Sequence, residues 1–96
     1  MSGEQFEWDG AKARSNLAKH GVSFEVASRT FDDVFALDRL NVGGEPGETR
    51  YAITGMVNGI LLTVVYTERG DRIRILSGRK ATTHEEREYY QSQAAE

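Results

Sequence analysis

The apolar positions change their spacing partway along the chain. In the first third they recur at helical intervals. Asp9 is suited to cap a helix, which should run through Lys12, Leu17 and His20, and Gly21 is the residue that stops it in a left-handed conformation. Ser23 caps a second, short helix whose Phe24, Ala27 and Phe31 fall on one side at spacings of three and four. Ahead of both, Glu4 to Trp8 reads as a short extended piece ending in an aromatic.

From Val34 the period shortens. Val34 to Leu40 reads as a strand, and Asn41 to Glu48, with three glycines and the only proline, as a flexible loop. Arg50 to Val57 is a strand that ends in Asn58-Gly59, a strong hairpin signal. Ile60 to Thr67 is an apolar run rich in β-branched residues and should be the central strand. After a turn at Arg69 to Asp71, Arg72 to Arg79 alternates, with Ile73 and Ile75 on one face and Arg72 and Arg74 on the other. Strict alternation puts Arg79 opposite Arg72 and Arg74, unless Gly78 marks a bulge. Thr83 with Glu86 forms a capping box for a last helix, Thr83 to about Gln93, after which the tail should fray. The fold expected is α+β: two N-terminal helices packed on one face of an antiparallel β-meander, with a C-terminal helix. The other face is left open and carries arginines.

Composition narrows the picture. With 96 residues, of which 39 % are hydrophobic and 28 % charged, residues 1–96 form one globular domain. There is no cysteine, which rules out disulfides, thiolate metal sites and a cysteine nucleophile. The two histidines, His20 and His84, are far apart in sequence, so no zinc site is expected. No apolar run approaches the ~20 residues of a membrane span, and Met1 to Trp8 lacks the apolar core of a signal peptide, so the cytoplasm is the expected compartment. The net charge of −3 argues against nucleic-acid binding only if the charges are mixed evenly, and they are not. From Thr49 to Ala81 the chain carries six basic side chains, Arg50, Arg69, Arg72, Arg74, Arg79 and Lys80, against Glu68 and Asp71 alone. A local positive field of this kind can still attract a polyanion.

A family resemblance follows from the order of several short motifs. Phe6-Glu7-Trp8-Asp9, Asn16, Lys19-His20-Gly21-Val22, Ser23-Phe24, Ala27 and Phe31-Asp32-Asp33 resemble the N-terminal signature of BrnT toxins. The match resumes at Arg50-Tyr51 and Gly55. It continues through Val64 to Arg69, Ile73 to Ser77, Arg79-Lys80-Ala81, and Glu86-Arg87 with Tyr90. The resemblance spans Phe6 to about Tyr90. It departs at Gly78, where alanine is more usual between Ser and Arg, and in the Gly-rich loop Asn41 to Gly47. It implies a RelE-like fold and endoribonuclease activity without metal. It also implies a BrnA-like ribbon-helix-helix antitoxin as partner, and operator DNA contacted only through that antitoxin.

Metal-free RNA cleavage by attack of the 2′-OH needs a base, an acid for the leaving 5′-oxygen, and cations for the charge that builds on phosphorus. Arginine suits the last role through its planar, permanently charged fork. Arg79, Arg74 and Arg50, from adjacent strands, are the catalytic candidates, with His20 for proton transfer. Lys19, Tyr66, Arg72 and Lys80 are candidates for holding RNA, Tyr66 by stacking on a base. Each has a plainer alternative. The arginines can be a solvated sheet face, His20 a dipole-compensating residue at a helix end, and a strand tyrosine mere half-buried filling. Tyr51 shares that last reading, Trp8 belongs in the core, and Glu68 either acts as base or pairs with Arg69 or Arg72. Two other functions fit the same residues: a non-catalytic binding module or co-repressor subunit, and a structural domain with a charge patch.

Overall fold

A computed structural model describes residues 5–41 and 46–94. Glu4 of the expected extended piece, residues 42–45 of the expected loop, and residues 95–96 of the expected tail lie outside the described residues. The elements are β1 (Phe6–Glu7), α1 (Gly10–His20), α2 (Phe24–Ser28) continued by a 3₁₀ turn (Arg29–Asp32), β2 (Leu37–Asn41), β3 (Arg50–Val57), β4 (Ile60–Arg69), β5 (Arg72–Lys80) and α3 (Thr83–Ala94).

The helix boundaries follow from local chemistry. The Asp9 carboxylate accepts the Lys12 N–H at 2.9 Å. Gly21, at φ 72°, returns its N–H to the Leu17 carbonyl. Ser23 Oγ accepts the Val26 N–H at 3.1 Å. The strand expected from Val34 begins only at Leu37. Asp33 delays it, because its carboxylate takes the Phe35 N–H at 2.9 Å and its carbonyl the Ala36 N–H at 3.0 Å, folding the chain into a turn.

The sheet order is β1-β5-β4-β3-β2, so β4 is central and antiparallel to both neighbours, as its apolar run suggests. The simple antiparallel meander is corrected at one edge. β1 runs parallel to β5, pairing Phe6 with Ile73 and Glu7 with Arg74, and the Gln5 carbonyl accepts the Ile73 N–H at 2.8 Å. Phe6, 6 % exposed, anchors this strand in the main core with Phe24, Ala27, Val64 and Ile75.

The helix arrangement is corrected as well. α1 and α2 pack on the face that presents Val64 and Ile75, where Gly78 lets α2 approach: a Cβ there would stand 3.1 Å from that of Ala27. α3 lies on the opposite face, with Glu85 bonded to Thr63, the neighbour of Val64. The arginine face is therefore partly roofed rather than open. α3 settles there because its one buried residue, Tyr89, donates its hydroxyl to Asp33. Leu61 and Tyr89 are buried but stand outside the main core cluster.

Candidate functional site

Which face each arginine occupies is decided by an irregularity in β5. Tyr66 pairs with Ile75 and Val65 with Ser77, so Leu76 is an extra residue with no partner on β4. Cross-strand partners share a face, and Val65 and Tyr66, being consecutive, do not. The bulge therefore reverses the alternation of β5 between Ile75 and Ser77. Arg72, Arg74 and Arg79 all emerge on one face, the one that also carries Thr63 and Thr67. The shift sits at Leu76, not at Gly78, which is occupied instead by close packing against Ala27.

The register places these residues in rows across the sheet. Asn41, Arg50, Thr67, Arg74 and Glu7 form one row. Arg39, Ala52, Val65 and Ser77 form the next, and Leu37, Thr54, Thr63 and Arg79 the third. Strand spacing sets Arg50 and Arg74 about 10 Å apart at their backbones, with the Arg79 row roughly 13 Å further along the strands. The row between them carries small side chains on β3, β4 and β5, so arginines from either side can lean toward a common floor.

Each of the three candidate arginines already holds a carboxylate. Arg50 pairs with Glu48 at 2.8 Å, Arg74 with Glu7 at 3.0 Å, and Arg79 with Glu85 at 2.8 Å. Arg72 is exposed at the start of β5. The Arg79 pair is the most elaborate. Nη1 and Nη2 donate to Oε1 and Oε2 of Glu85 at 2.8 and 3.0 Å. Oε1 also accepts the Thr63 hydroxyl and the Thr82 N–H, both at 2.9 Å. Thr63 bonds Thr54 at 2.8 Å, and Thr54 accepts Arg39 Nη2 at 3.2 Å. Arg39 also pairs with Glu88 of α3. The Arg79 hydrogen bonds, outweighing burial, pull the Glu85 carboxyl down to about 2, and those same bonds push the Arg79 pKa up. Both groups are thus charged at neutral pH.

Sequence reasoning missed Glu85 and Arg39. The capping box was expected at Thr83 and Glu86, but Glu85 N–H donates to Thr82 Oγ1 while Glu85 accepts from Thr82 N–H. The run Thr82-Thr83-His84-Glu85-Glu86 satisfies the box twice, one residue apart. Only the first version turns a carboxylate toward the sheet.

The remaining candidates scatter. Tyr66 faces the helix side. It is 5 % exposed, stacks on Tyr51 with ring centroids 5.3 Å apart, and donates its hydroxyl to Asp38 at 2.6 Å. Burial and the Asp38 bond raise its pKa, and no face of the ring is open to a base. Lys80 pairs with Leu62, which places it on the helix face, opposite Arg79. Lys19 and His20 are exposed in the last turn of α1. The Asn16 amide, one turn before His20, donates to the Gly78 carbonyl at 2.8 Å and accepts the Gly78 N–H at 3.2 Å. α1 therefore runs beside the edge of β5 near Arg79. Among the described residues no three His, Cys, Asp or Glu side chains gather as a metal-ligating group, and no helix is long and apolar enough to cross a membrane.

These features define a class: a small α+β domain with arginines and carboxylates arrayed on one sheet face beneath a C-terminal helix. Residues 8–85 match the family described as the ribonuclease toxin BrnT of type II toxin–antitoxin systems, and the chain belongs to that family. A type II toxin has a protein antitoxin as its partner. No curated protein matches the chain.

Proposed function

We propose that this toxin is a metal-independent endoribonuclease that halts growth by cutting RNA, and that Arg79, Arg74 and Arg50 hold the scissile phosphate over the Ala52-Val65-Ser77 row. The observation that carries this reading is the bulge at Leu76, because without it Arg79 and Arg74 would point to opposite faces. The arginines supply charge where it builds on phosphorus, and their forks need no reorganisation at the moment of reaction. His20, at the α1 end that runs beside β5, is the candidate for moving the proton of the 2′-OH or of the leaving 5′-oxygen. Arg72 extends the same face, while Lys19 and Lys80 are left for flanking phosphates. Tyr66 has no part in this scheme.

The proposed partner acts on the same face. A BrnA-like ribbon-helix-helix antitoxin that covers the arginines silences the toxin, and operator DNA is reached only through it. Coexpression should give one complex on size-exclusion chromatography. Two separate peaks at micromolar concentration count against it.

The experiment is cleavage of a defined RNA in EDTA. Arg79→Ala, folded by circular dichroism, should lose about 10²–10³-fold in rate. Arg79→Lys should not restore it fully, since a point charge cannot replace a bidentate fork. Abolition of wild-type cleavage by EDTA overturns the metal-free mechanism. The carboxylate pairing of all three arginines favours a second reading, a non-catalytic binding module or co-repressor subunit. Failure of the wild type to slow growth when expressed alone would select it.

A further inference from the structure

The donors of Arg79 divide in a way that gives Glu85 a task. A guanidinium has five N–H groups. Nη1 spends both of its hydrogens, one on Glu85 Oε1 at 2.8 Å and one on the Lys80 carbonyl at 3.2 Å. Nη2 spends one on Glu85 Oε2 at 3.0 Å. Among the described residues, Nε–H and the second Nη2 hydrogen have no partner. These two lie side by side on the lateral edge of the fork, the right shape for two phosphate oxygens. The Arg79 side chain is 37 % exposed while that of Glu85 is 13 % exposed, so the carboxylate is the anchored member of the pair.

We propose that Glu85 is a positioning residue: its carboxylate grips the end of the Arg79 fork and the Lys80 carbonyl fixes its tilt, leaving the lateral Nε/Nη2 edge aimed at the RNA phosphate. The inference rests on the reading that Arg79 meets the scissile phosphate. Glu85 is itself held against rotation. Thr63, Thr82 and the capping box fix Oε1, and Arg39 stands 3.8 Å from Oε2. A long, flexible side chain on a strand is thereby given one orientation before substrate arrives, and its ordering cost is met in folding rather than in binding. Glu85 touches no reacting atom and acts only through Arg79.

That dependence makes the test sharp. Rates of cleavage of one defined RNA are measured for the full chain and for Glu85→Ala, Thr63→Val, Arg79→Ala and both double variants with Arg79→Ala. Folding is checked by circular dichroism and thermal melting. Glu85→Ala should lower kcat about 10- to 100-fold, the scale of a misplaced catalytic group, and change KM much less. Thr63→Val, which removes one hydrogen bond to Glu85 and preserves shape, should give a smaller loss of the same kind and keeps the test open if Glu85→Ala fails to fold. In the Arg79→Ala background neither change should cost anything more. Losses that multiply would overturn the proposal, since Glu85 would then act independently. A faster Glu85→Ala enzyme would also overturn it, making the carboxylate a mask over Arg79. If folded Arg79→Ala cuts at the wild-type rate, the site reading itself has failed, and the positioning role fails with it.

Discussion

At the residue scale, one amide closes the edge of β5 beyond the reach of β1. Asn16 donates to the carbonyls of Val22 and Gly78 at 2.9 and 2.8 Å and accepts from the Gly78 N–H, and it is 7 % exposed. Removing it strands buried backbone groups whose desolvation costs about 1–3 kcal/mol each. Asn16→Ala should therefore lower the unfolding free energy by at least about 2 kcal/mol in urea titration. A change below about 0.5 kcal/mol would mean that water replaces the amide. Asn16 is legible in the sequence as a motif residue, but its task is not, because Gly78 is 62 residues away. Glu85 was hidden differently. Two overlapping capping boxes compete for the start of α3, and helix propensity does not separate them. The choice is made by Thr63 and Arg79, which local pattern does not see.

At the element scale, alternation carried the reading of β3, β4 and β5 well, since each strand has neighbours from adjacent sequence. It failed where one residue was added. Nothing in Ile75-Leu76-Ser77 announces a bulge, and the glycine that invited one, Gly78, serves helix packing. Gly55 shows the same use of a missing side chain. A Cβ there would stand 2.9 Å from the Thr30 methyl and 3.0 Å from the Thr30 carbonyl oxygen. The second contact is backbone and cannot swing away. Gly55→Ala should destabilise by about 1–3 kcal/mol, read as a lower urea midpoint at unchanged slope. Equal or greater stability would show that the 3₁₀ turn slides freely over β3. The arginine pairs were not legible either. Glu48 is two residues from Arg50 and Glu85 six from Arg79, yet neither spacing says which way the side chains turn, and Glu7 meets Arg74 across 67 residues only in the folded sheet.

At the scale of the molecule, α3 is moored to the rest through two carboxylates that act one helical turn apart on its buried side. Glu85 joins it to the sheet, and Asp33 receives the Tyr89 hydroxyl. The Glu85 carboxyl is drawn from an ordinary 4.5 to about 2 by its Arg79 bonds. Burial raises that of Asp33, but the Tyr89, Met56 and Phe35 bonds outweigh it and the net shift is downward. In both cases the unfolded chain binds the proton more tightly, so acid favours unfolding. The stabilisation is complete above about pH 4.5 and is lost as the pH falls toward about 2. Urea unfolding followed against pH should show stability dropping through that window. Glu85→Gln and Asp33→Asn together should flatten the drop, and an undiminished acid slope in the double variant would place the sensitive groups elsewhere.

The parallel pairing of β1 with β5 also sets a clock. Phe6 and Glu7 leave the ribosome early, yet the strand they pair with lies at Ile73 and Arg74, and α3 follows only after that. Until β5 is made, β1 has no strand to pair with and β4 lacks one of its two neighbours. The sheet can close only once β5 is present, and long-range closure of this kind is slow. Arg74 and Arg79 lie on that late strand, so the arginine face is completed only when it docks.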